Sequence, residues 1–148
     1  MISLLRSISL LILLLLLTGC NNQGEIALRQ LGVSSGCDAA LTTCVVNDGE
    51  LTVSLRMGPG VKPLQPFPLT LVISGGEIEE QSVVVDFQMQ GMDMGINRYR
   101  LQPKLDSWGG TVTLPVCSVS RMDWLAIVEF TSGGETFQAV FPFHTEAN

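Results

Sequence analysis

From Leu51 onward the chain alternates apolar and polar residues with a period of two, the mark of strands that bury one face. Leu51, Val53, Leu55 and Met57 alternate with Thr52, Ser54 and Arg56. A breaker run over Gly58–Pro68 holds Pro59, Pro63, Pro66 and Pro68. Proline cannot donate to a central ladder, so this run belongs at a sheet edge or crossover. Leu69, Leu71 and Ile73 resume the alternation up to Gly75-Gly76, which reads as a tight turn. Val83, Val85, Phe87 and Met89 form the next apolar face, followed by Tyr99 and Leu101, then by Val112 and Leu114 after Gly109-Gly110. Trp124, Ala126, Val128 and Phe130 lead to a second turn at Gly133-Gly134, and Phe137, Ala139, Phe141 and Phe143 form the last face. Ser-Gly-Gly-Glu occurs at Ser74–Glu77 and at Ser132–Glu135, which reads as shared hairpin chemistry. About seven short strands with regular turns and no amphipathic helix predict an all-β, immunoglobulin-like antiparallel sandwich; an up-and-down barrel is the alternative.

The first segment has a different pattern. Arg6 precedes an apolar run, Ile8–Leu17, interrupted only by Ser9. That run is shorter than the roughly 20 residues of a membrane-spanning helix and matches a signal-peptide core. It ends in Leu17-Thr18-Gly19-Cys20, which resembles the lipobox of bacterial lipoproteins. The resemblance implies removal of residues 1–19 and acylation of Cys20, on its thiol and on its new amine. Several acyl chains together give stable anchoring. Asn21 stands where an Asp commonly retains lipoproteins at the inner membrane, which points to the outer membrane, facing the periplasm. Residues 20–36 read as a polar tether with a helical turn over Ile26–Leu31, and residues 37–148 as the folded domain.

The chain has 148 residues, so loss of the 19-residue leader leaves 129, enough for one core. The whole chain carries 14 acidic and 8 basic residues; without Arg6 the formal charge is −7. An acidic chain with no basic cluster cannot neutralise phosphates, which excludes nucleic acid as a partner. Size and hydropathy likewise exclude a polytopic membrane protein and a large multidomain enzyme.

With Cys20 committed to lipid, Cys37, Cys44 and Cys117 remain, in a compartment that oxidises thiols. An odd number leaves one thiol over. Cys37 and Cys44 flank a short loop that closes at small entropic cost and form the expected disulfide; Cys44–Cys117 is the rival pairing.

Three of the six methionines fall at Met89, Met92 and Met94. Met89 continues the Val83-Val85-Phe87 face and reads as core. Met92 and Met94 read either as core filling or as contacts to a metal or a protein partner. In an extended chain they fall on one side, roughly 6.5 Å apart, and soft thioethers select Cu(I). Gly91 and Gly95 permit the backbone to bend around such an ion. Met122 and Cys117 lie in a later turn-like segment, and a Met92/Met94/Cys117 set would suit Cu(I) if the loops meet.

Over about 69–143, the segment Asp93-Met94-Gly95-Ile96-Asn97, then Trp108-Gly109, then Leu114-Pro115 before a Trp-containing strand resembles the FixH-like/YtkA-like periplasmic family. That resemblance implies a β-sandwich associated with copper handling and oxidase assembly, with Met92 and Met94 as candidate ligands and Cys117 near the family's late methionine. Related copper chaperones often place histidine among their methionines, and this stretch contains none.

Catalytic chemistry finds little to work with. The single histidine, His144, reads as a solvated tail residue. A blue-copper centre needs two His and a Cys, which excludes a cupredoxin. There is no C-x-x-C pair, phosphate loop or zinc spacing. The expected protein is therefore a non-enzymatic lipoprotein, either a copper-binding accessory to oxidase assembly or a metal-free envelope module that holds a protein partner.

Overall fold

The computed structural model describes residues 27–116 and 122–145. Among them are ten strands: β1 (Leu28–Val33), β2 (Cys44–Asn47), β3 (Thr52–Met57), β4 (Phe67–Ser74), β5 (Val84–Met89), β6 (Arg98–Arg100), β7 (Gln102–Pro103), β8 (Trp108–Val112), β9 (Asp123–Ser132) and β10 (Glu135–His144). They form two five-stranded sheets, in the orders β1-β10-β9-β5-β6 and β2-β3-β4-β8-β7. The β10-β9-β5-β6 run has the order of the G-F-C-C′ sheet of an immunoglobulin-like sandwich, and β3-β4-β8-β7 that of the A-B-E-D sheet. The expected all-β sandwich is the fold observed.

Alternation builds the core. Burial follows a strict period of two in β4 and through most of β9 and β10, so each inward residue meets the opposite sheet. Phe87 is fully buried and joins the layers: its ring lies 6.1 Å from Phe67 of the other sheet, 6.0 Å from Tyr99 and 5.9 Å from Phe143. All three contacts are edge-on, the arrangement favoured by aromatic quadrupoles. The Tyr99 hydroxyl donates to the Thr113 carbonyl at 2.7 Å, a further tie between the sheets.

Three expectations are corrected. Residues 28–33, placed in the tether with a helical turn, form β1, the edge strand parallel to β10. Only Leu31 is buried there, and the register shifts between Gln30 and Gly32, so no period-two signal marks the strand. The strand count exceeds seven partly because β6 and β7 have three and two residues, too short to show a period. The two Ser-Gly-Gly-Glu copies also differ. Gly133 and Gly134, at φ 58° and 80°, form the two-residue turn between the paired Ser132 and Glu135, the positive-φ geometry of a tight hairpin. The earlier copy instead carries the chain from one sheet to the other. There Gly75 has φ 102°, and a Cβ on it would stand 2.0 Å from the Glu50 carbonyl oxygen, so only glycine fits.

Candidate functional site

The methionine segment is the loop joining β5 to β6. It begins where the Met92 N–H donates to the Met89 carbonyl at 3.1 Å. Gly91 and Gly95 have φ of 74° and 67°, turning the chain on either side of Met92 and Met94. The loop is held by its own polar groups. Asp93 Oδ1 accepts the Gly95 N–H at 2.9 Å, and Asn97 Nδ2 donates to the Met94 carbonyl at 2.8 Å. Asp86 Oδ1 accepts the Asn97 N–H at 3.3 Å, while its Oδ2 accepts Gln88 Nε2 at 3.0 Å. The Phe87 N–H closes the base on the Asn97 carbonyl at 3.1 Å.

Within this frame exposure alternates. Met92 and Met94 are half-buried and pack against the core, whereas Gly91, Asp93, Gly95 and Ile96 are exposed. Both thioethers thus belong to the inward-facing side of the loop. Met89 is buried, as its place in the alternation predicts.

Other segments gather at the same end of the sandwich. Met89 pairs with Trp124 and Trp124 with Phe143, so the start of β9 and the end of β10 lie beside the loop. Met122 precedes that point, is 45% exposed, and accepts the Thr145 N–H on its carbonyl at 3.0 Å. Cys117, the third residue of the Met92/Met94/Cys117 set, lies outside the described residues, as does Cys20.

Cys37 and Cys44 form the expected disulfide, with Cα atoms 5.8 Å apart. The loop it closes clips the two sheets together at this end. The Ala39 N–H donates to the Pro142 carbonyl at 3.2 Å, and the Ala39 carbonyl accepts the Met57 N–H at 3.1 Å. Asp38, in the same loop, holds His144 Nδ1 at 2.9 Å. His144 is therefore the last residue of β10 with a carboxylate partner, although two-thirds of its side chain is exposed; the expected solvated tail residue is corrected on that point.

The soft donors on the methionine loop are the two thioethers. Among the described residues no three His, Cys, Asp or Glu side chains are grouped to hold a metal ion. Met92 and Met94 stand out in the sequence by their spacing, whereas the Asp86–Gln88–Asn97 framework does not. Those three polar residues carry no motif, and only the β5–β6 hairpin brings them together. No helix among the described residues is long and apolar enough to cross a membrane. No protein-family model, curated protein or solved structure matches the chain.

Proposed function

We propose that this is a non-enzymatic, lipid-anchored protein of the bacterial envelope. In this reading it faces the periplasm and holds Cu(I) through the thioethers of Met92 and Met94 as an accessory to oxidase assembly. The observation that carries the copper reading is the shared orientation of the two methionines within a loop braced by Asp86, Asp93 and Asn97. Flexible thioethers on a pre-shaped loop can close on a soft monovalent ion without reorganising the backbone. The address rests on the lipobox at Leu17–Cys20.

Anaerobic titration of the mature domain with Cu(I) tests the metal. Replacing both Met92 and Met94 with Leu conserves apolar volume, so stability should fall by less than about 1.5 kcal/mol per site, while Cu(I) affinity collapses. Unchanged affinity in the double variant, or no Cu(I) binding by the wild type, defeats the copper reading. For the address, Cys20→Ala should abolish palmitate labelling and leave an unprocessed precursor.

A second reading, a metal-free module that holds a protein partner, draws on the apolar residues displayed at the methionine end. Ile96 is 91% exposed and Leu41 82%. A stability loss in the Met92/Met94 double variant, with no metal effect, favours this reading.

A further inference from the structure

The opposite end of the sandwich holds a cleft of about 510 Å³ that neither reading uses. Ile78, Leu105 and Trp108 supply apolar lining, and Glu80, Lys104 and Asp106 bring charges of both signs. Leu105 is the most exposed large apolar residue described, at 97%. It stands on the β7–β8 turn, which the Lys104 N–H closes on the Ser107 carbonyl at 2.7 Å. Lys104 folds back over Gly109, where a Cβ would meet its Nζ at 2.8 Å, and it makes no ion pair among the described residues.

The cleft lies where the chain enters the fold. Leu28 opens β1 opposite Thr136, Thr136 pairs with Thr131, and Ile78 bridges the adjacent Ser132. Three strand spacings thus separate β1 from the cleft wall, about 14 Å. Residues 21–27 between Cys20 and β1 span at most about 25 Å. A bilayer holding acylated Cys20 is therefore within reach of this end. The surroundings are acidic on balance, with Glu77, Glu79 and Glu135 exposed beside Asp48 and Glu50, which share Arg29. Such an end repels a purely anionic surface, whereas a cleft with an ammonium and two carboxylates complements a headgroup carrying both charges.

We propose that this cleft takes the headgroup of a zwitterionic phospholipid from the membrane that holds the anchor. The lipid phosphate meets Lys104, the lipid ammonium faces Glu80 and Asp106, and Leu105 enters the interface, while Trp108, half-buried against the core, stays in the cleft wall beneath it. Aliphatic side chains settle at interfacial depth. The proposal rests on the lipid-anchor reading, and its test is made independent of it.

Every core side chain lies between Leu31 and Phe143, so an unacylated chain beginning at Asn21 keeps the whole core. This chain is mixed with vesicles of brominated phosphatidylethanolamine and phosphatidylcholine, or of brominated phosphatidylglycerol. Tryptophan quenching is the readout. Trp124 is buried at the far end of the core, whereas Trp108 is half-buried in the wall of the cleft. A bromine in a lipid seated there is within quenching reach of Trp108, so the signal belongs to Trp108 and should vanish in Trp108→Phe. Quenching by the zwitterionic vesicles is expected, and Leu105→Asp should weaken it at least about tenfold; exposure of Leu105 spares the fold. Absence of quenching, or quenching by phosphatidylglycerol alone, overturns the proposal. Palmitate labelling of Cys20 is scored separately, so loss of labelling with quenching intact overturns only the anchor.

Discussion

Asp48 sits in the turn between β2 and β3, where one carboxylate oxygen accepts the N–H of Leu51 at 2.8 Å and of Glu50 at 3.0 Å. Those two donors, the Leu51 amide foremost, with Arg29 at 3.1 Å from the other oxygen, hold its carboxyl below the ordinary value of 3.8. A carboxyl whose pKa is lower in the folded chain adds stability above its unfolded value, and that stability is lost as pH falls through the folded value. The melting temperature should therefore decline as acid is added below about pH 4, and Asp48→Asn should flatten that part of the profile. Thermal melts of both proteins across the acid range decide it; parallel profiles would remove Asp48 as a contributor. Roles set by periodicity, such as the burial of Met89, were legible residue by residue. Roles set by neighbours distant in sequence were not: nothing around Asp86 announces that it will accept the Asn97 amide.

At the level of elements, the disulfide loop is the clearest case of a short segment acting on both sheets. Closing a loop of this length contributes about 2.5 kcal/mol through the unfolded chain's lost freedom. The double variant Cys37→Ser with Cys44→Ala should lower unfolding free energy by about that amount in urea titrations, and reductant should do the same to the wild type. Alanine is chosen at position 44 because that residue is 1% exposed and a hydroxyl there would lack water. With this pair bonded and Cys20 acylated, alkylation of the denatured, unreduced mature protein should modify Cys117 alone. Strong strands were legible for a physical reason: β4, β9 and β10 each bury one face along most of their length. β1 stayed hidden because it lies at an edge and buries a single side chain. β6 and β7 stayed hidden because one residue, Leu101, separates them as the chain changes sheets.

For the molecule as a whole, Phe87 is the side chain on which the two layers depend. Phe87→Ala removes an aromatic ring with contacts in both sheets and should cost about 3–5 kcal/mol, a large share of a typical domain's stability. A urea midpoint close to that of the wild type would show that the sheets hold together without it. The two ends of the sandwich are chemically unlike: methionines and the disulfide at one, chain entry, carboxylates and the cleft at the other. The parallel pairing of β1 with β10 fixes how load passes between those ends. A pull on the chain before Leu28, with the methionine end held, draws β1 lengthwise along β10. Its ladder hydrogen bonds lie across that direction, so they share the force and must give way together. An antiparallel hairpin pulled apart from its open end would instead release them one at a time. The entry strand is therefore arranged as a shear joint, suited to a domain restrained at one end and tugged at the other.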